Sequence, residues 1–155
     1  MLSSILDNKN PVEISEGIFS VLDDSRQQSG YDSKVRAFDA VAGNRFYNKL
    51  FWGNWPSAYH AFCQNGLKQQ QDKPVLDVGC GSLVFTANAY AHSNNRAIIL
   101  LDRSLGMLKR ARERLNRIHG SVPDNVAFLQ GDVFNLPFAD NTFCLLYTSP
   151  SPRDS

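Results

Sequence analysis

The sequence predicts an α/β protein: a doubly wound parallel sheet, incomplete at about four strands, preceded by a helical N-terminal cap. Three observations carry that reading. A continuous apolar run at 97–101, with short strand-like segments at 75–78 and 126–129, suits parallel strands buried on both faces. Segments with helical spacing separate them, and strand–helix–strand alternation marks a doubly wound sheet. The runs lead into glycine or a carboxylate, where such a sheet forms its ligand crevice.

Composition narrows the possibilities. The chain has 155 residues, 43% hydrophobic and 20% charged, which suits a globular domain with its own core. A net charge of +1 gives no reason to expect nucleic acid or an anionic membrane as partner. No apolar run reaches the length of a membrane span. Met1–Asp7 lacks the basic and long apolar regions of a signal peptide. Cys63, Cys80 and Cys144 make neither a metal spacing nor a disulfide framework, so a reducing cytoplasm is the expected compartment. His60, His92 and His119 do not cluster, and no metal site is expected.

Residues 1–67 read as the helical cap. Pro11–Leu22 spaces its apolar residues as a helix does, and so does 33–51, with Val35, Phe38, Val41, Ala42, Phe46 and Leu50 on related faces. Gly53-Asn-Trp-Pro56 breaks that pattern, and a third helix starts at the N-cap Ser57. Phe46, Tyr47, Phe51, Trp52, Trp55 and Tyr59 form an aromatic group that either packs the cap or covers a ligand. Residues 68–73 are a polar linker without an apolar face.

The domain proper spans 74–143. Val75–Val78 is a strand running into Gly79-Cys-Gly81, and 82–91 reads as a helix. The run 97–101 is the second strand, ending at Asp102. Ser104 caps a helix striped with Leu105, Leu108, Ala111, Leu115 and Ile118, and Gly120 stops it. Arg110, Arg112, Arg114 and Arg117 read as its solvated face. The third strand, 126–129, leads to Gly131-Asp132, and Phe143 begins a fourth.

Chemistry gathers at the strand ends. Gly79 and Gly81 permit positive φ and let backbone approach a ligand with no Cβ in the way. Asp102, 21 residues after Gly81, can accept from both hydroxyls of a ribose. Asp132 can accept from the exocyclic amine of a base. Asp77, Asp102 and Asp132 at three successive strands describe a nucleoside pocket with no demand for phosphate.

At this point the chain resembles the class I S-adenosylmethionine-dependent methyltransferases of the small-molecule type. The resemblance lies in Asp77-Val-Gly-Cys-Gly81, in Leu101-Asp-Arg-Ser-Leu-Gly-Met-Leu108, and in Gln130-Gly-Asp-Val-Phe-Asn-Leu-Pro-Phe-Ala-Asp-Asn-Thr-Phe143. It implies a Rossmann-like fold, S-adenosyl-L-methionine as cofactor and a small-molecule methyl acceptor. It also implies roles. Asp77, Gly79, Cys80 and Gly81 would line the methionine part. Asp102 would hold the ribose, with Arg103 beside the adenine. Asp132 and the Val133 backbone would read the adenine edge. No residue presents itself as catalytic base, and Cys80 needs only to be small. A nicotinamide dinucleotide fits less well, because G-x-G-x-x-G needs glycine where Val84 stands.

The chain departs from the family at two places. Leu83 stands where D-x-G-x-G-x-G has its last glycine, so either cofactor binding changes or the loop sits differently. That departure leaves room for a non-catalytic binding or scaffold module. Cys144 stands where the family has aspartate. From there residues 144–155 resemble a translated sequencing adapter, so this tail is expected to be non-native and the domain truncated after Phe143.

Overall fold

The computed structural model describes residues 2–7, 10–23, 65, 67, 73–92, 97–143 and 145–148. The three expected strands of the 74–143 domain are present. They are β3 (Val75–Val78), β4 (Ile98–Asp102) and β5 (Val126–Gln130). Helix α1 (Ala87–Ala91) and helix α2 (Leu105–His119) follow the first two. The fourth strand of this domain, β6, is Leu145–Thr148 and pairs in parallel with β3.

The N-terminal segment differs from expectation. Over 12–20 there is no helix but an antiparallel hairpin of β1 (Val12–Ser15) and β2 (Ile18–Ser20). Gly17 makes the turn at φ +66°, and its N–H donates to Glu13 Oε1 at 2.8 Å. β2 then adds in parallel to β5, pairing Ile18 with Phe128. An open strand edge takes a β-branched segment whose apolar spacing also suits a helix, so tertiary pairing overrides local pattern. Asn65 and Leu67 are helical. The remaining cap helices expected over 33–51 and from Ser57, with their aromatic group, lie outside the described residues.

The six strands form one sheet in the order β1-β2-β5-β4-β3-β6. Apart from the hairpin it is parallel. Strand order reverses between β3 and β6, and that switch point is where a doubly wound sheet opens a crevice beyond its carboxyl ends.

Alternation sends residues to two cores. Val75, Ile98, Leu100, Val126 and Phe128 pack with Leu108, Ala111 and Leu115 of α2 and Tyr90 of α1. Leu76, Val78, Ile99, Leu101 and Leu129 pack on the other face with Leu2, Leu6, Phe138 and Phe143. The rings of Phe138 and Phe143 meet edge to face, centroids 4.7 Å apart. Burial on both faces explains why these strands are mostly apolar, with Asp77 the buried polar residue inside β3.

Helix α2 obeys its sequence signals. The Ser104 side chain accepts from Met107 N–H, and Gly120 closes the C-terminus at φ +86°. The other expected helix is shorter than its pattern: residues 82–86 are not helical, and α1 starts only at Ala87. Among the described residues no helix is long and apolar enough to cross a membrane.

Candidate functional site

The loop after β3 is held by the end of β4. Gly79 N–H and Cys80 N–H both donate to the Leu101 carbonyl, at 2.8 and 3.1 Å. Gly81 N–H donates to Asp102 Oδ2 at 2.8 Å. The other oxygen, Oδ1, accepts from Ser104 N–H at 2.8 Å. One carboxylate thus ties the glycine loop to the start of α2. Gly79 and Gly81 sit at φ +67° and +57°, and a Cβ on either would meet nothing within 4 Å. The loop is therefore an open cradle of backbone that side chains do not fill.

Leu83 shares that backbone conformation at φ +58°, a state that costs a leucine of the order of 1–2 kcal/mol. Its side chain turns inward and is only 2% exposed, in the same core as Tyr90 and Ala87. Of the two readings of Leu83, the loop sitting differently is the one the geometry supports: the bulk enters the core rather than the crevice. The late start of α1 at Ala87 goes with it, since a left-handed residue interrupts a right-handed helix.

Two arginines of α2 are not merely solvated. Arg114 Nη1 donates to the Ser82 carbonyl, and lies 3.2 Å from Ser82 Oγ. Arg112 Nη2 pairs with Glu16 Oε1 of the hairpin turn at 2.9 Å. The first brace holds the glycine loop, and the second holds the N-terminal hairpin.

Asp77 is fully buried at the foot of the loop. Its Oδ2 accepts from the hydroxyl of Tyr90 at 2.8 Å. Its Oδ1 is buried with no hydrogen-bond partner among the described residues. Burial pushes the Asp77 carboxyl up to about 7, the Tyr90 bond opposes that, and the negative charge of Asp102 adds to it. Burial likewise pushes the Cys80 thiol well above its usual range, which leaves it protonated and a poor nucleophile.

The end of β5 is looser. Asp132 Oδ1 accepts from Phe134 N–H at 3.0 Å and caps a short 3₁₀ turn, Val133–Asn135. Arg103 Nη1 stands 3.9 Å from Asp132 Oδ2. Val133 is half exposed and Phe134 is 94% exposed. Behind them, buried Gln130 donates through Nε2 to the Arg103 carbonyl at 3.0 Å.

All eight residues singled out in the sequence for a cofactor — Asp77, Gly79, Cys80, Gly81, Asp102, Arg103, Asp132 and Val133 — lie at or beside the carboxyl ends of β3, β4 and β5. Direct bonds link Gly81 to Asp102, and an ion pair links Arg103 to Asp132. Tyr90, Arg114 and Gln130 are additions of the structure.

The profile of the family described as "Methyltransferase domain" matches residues 75–151. Residues 75–151 belong to the methyltransferase-domain family. The methyltransferase domain thus covers the glycine loop, both following strand ends and β6. Among relatives, the demethylmenaquinone methyltransferase of Corynebacterium kroppenstedtii is 35% identical over 112 residues, covering 70% of this chain and 43% of that protein. A carboxy-S-adenosyl-L-methionine synthase of Actinobacillus succinogenes is 32% identical over 91 residues, covering 54% of this chain and 37% of that one. The chain therefore spans less than half the length of these curated relatives. A Methanococcus maripaludis structure assigned as an S-adenosyl-L-methionine-dependent methyltransferase shares the fold. It has a TM-score of 0.58 at 20% identity, over 80% of this chain and 52% of that one.

Proposed function

We propose that the chain is the cofactor-binding part of a cytoplasmic S-adenosyl-L-methionine-dependent methyltransferase acting on a small molecule. The observation that carries this is the buried Asp77 Oδ1, without a partner among the described residues, at the foot of an open glycine loop and one strand from Asp102. A buried carboxylate oxygen without a donor is costly unless a ligand supplies one. The α-ammonium group of the cofactor's methionine part is such a donor.

The roles follow the strand ends. Asp77, Gly79, Cys80 and Gly81 line the methionine part. Asp102, whose two oxygens each accept from a backbone N–H, accepts from the ribose hydroxyls. Arg103 lies beside the adenine, and Asp132 with the Val133 backbone reads its edge. When bound, the cofactor supplies an electrophilic methyl group on a sulfonium. The protein's part in such a displacement is mainly in-line positioning of the acceptor.

The inward-turned Leu83 side chain favours the cofactor reading over a scaffold, since it leaves the crevice clear of its bulk. A second reading keeps the cofactor and changes the reaction, because one relative bears the name of a synthase that makes carboxy-S-adenosyl-L-methionine. Calorimetry with S-adenosylhomocysteine tests the shared ground, with a nicotinamide dinucleotide as control. One-to-one binding of the first and none of the second is expected. Heat from the dinucleotide alone would overturn both readings.

We hold residues 144–155 to be a non-native tail. An apolar Leu-Leu-Tyr-Thr run can fill the edge of β3 whatever its origin. Sequencing source DNA across codons 143 and 144 should read Phe-Asp, and Phe-Cys would contradict this.

A further inference from the structure

The roles above leave one buried polar contact without a purpose. Tyr90 is 1% exposed within an apolar core, and its hydroxyl is spent on Asp77 Oδ2. A phenylalanine would fill the same space, so packing alone does not call for the hydroxyl. The contact fixes one oxygen of Asp77 and leaves the other without a partner among the described residues.

The described residues around that carboxyl come from the flanking strands, the loop and two helices. The register partners of Asp77 are Leu100 on β4 and Tyr147 on β6. Asp102, at the end of β4, acts on it as a like charge. Cys80 in the loop stays protonated. Helix α1 brings Tyr90, and α2 brings apolar Leu108, Ala111 and Leu115 to the same core. The influences that set the carboxyl are burial, the Tyr90 hydroxyl and the Asp102 charge, and none is a cation. A cationic ligand group would complete the set.

Building on the proposed cofactor reading, we infer that Tyr90 is a positioning residue: its hydroxyl holds Asp77 Oδ2 so that Oδ1 receives the cofactor's α-ammonium group, and cofactor affinity rises with pH as Asp77 ionises. The direction follows from the site. Burial pushes the carboxyl up to about 7, so its charge develops in the neutral range. The hydroxyl favours the charged form, and removing it moves that transition to higher pH. The ligand selects the ionised state, so every unit of pH below the transition weakens binding about tenfold.

The test is calorimetry on the full chain from about pH 5.5 to about pH 8.5, a range that brackets the transition. S-adenosylhomocysteine is the probe. 5′-Methylthioadenosine, which lacks the ammonium group, is the control. In the parent chain, affinity for S-adenosylhomocysteine should climb with pH and level off above neutrality, while the control stays flat. Tyr90→Phe should shift the climb upward by about one unit. It should then bind about tenfold more weakly near pH 6 and almost normally at the top of the range. An equal loss at every pH, or an unshifted curve, would overturn the inference and leave Tyr90 as packing.

Should Tyr90→Phe not fold, Asp77→Asn decides, since Tyr90 keeps an acceptor there. Its binding should lose the pH dependence, and retained dependence would overturn the inference. If the parent chain binds the control but S-adenosylhomocysteine without any climb, the inference fails while the cofactor reading stands. If it binds neither ligand at any pH, the cofactor reading fails and takes the inference with it.

Discussion

The loops after β3 and β5 stand side by side at the same end of the sheet but are built differently. After β3, the N–H groups of Gly79, Cys80 and Gly81 are all spent on the end of β4, and Arg114 braces the next carbonyl. After β5, Asp132 caps only its own short turn, and its ion pair with Arg103 is long and on the surface. Buried hydrogen bonds to a charge contribute about 1.5–3 kcal/mol each, and exposed ion pairs about 0–1. The comparison teaches that the proposed methionine and ribose side of the site is held by the fold itself. The proposed adenine side is more loosely built.

That contrast can be broken by substitution. Asp102→Ala removes the side-chain acceptors of two backbone N–H groups and the proposed ribose contact together. It should lower S-adenosylhomocysteine affinity by about 100-fold or more, read by calorimetry. A loss under threefold would mean the loop holds its own shape. Next come changes at Leu83. Leu83→Ala should destabilise the fold by about 2–5 kcal/mol in urea unfolding. Leu83→Gly should cost about 1 kcal/mol less than alanine, because it relieves the left-handed backbone. The usual order, with alanine the more stable, would argue against strain at φ +58°.

Arg114→Ala should weaken the ligand by about tenfold through the loop carbonyl it releases. Unchanged affinity would return Arg114 to the solvated face. The smallest effects belong to the β5 side. Arg103→Ala and Phe134→Ala should each change stability by less than about 0.5 kcal/mol. A larger loss from either would show that this loop is as firmly built as the other.

Much of this was legible beforehand, and for a physical reason. Parallel strands buried on two faces have to be largely apolar, so β4 and β5 show as apolar runs up to their last residue, and β3 is broken only by Asp77. Cap and stop residues state the ends of α2 in full. The hairpin was not legible, because Ile14, Ile18 and Phe19 suit either period and the deciding partner, the edge of β5, is distant in sequence. Leu83 was visible as a missing glycine, but its inward turn was not. Tyr90 and Arg114 carry no spacing signal. They reach Asp77 and Ser82 only because two helices pack on one face of the sheet, and an arginine inside a basic run reads as solvated.

Amide chemical-shift mapping during titration with S-adenosylhomocysteine tests the central claim most directly. The account predicts that the largest shifts fall on Gly79 to Ser82, on Asp102 to Ser104 and on Asp132 to Phe134. The hairpin turn at Glu16 and Gly17 should stay still. Shifts that spare the glycine loop, or that gather on the hairpin, would contradict it.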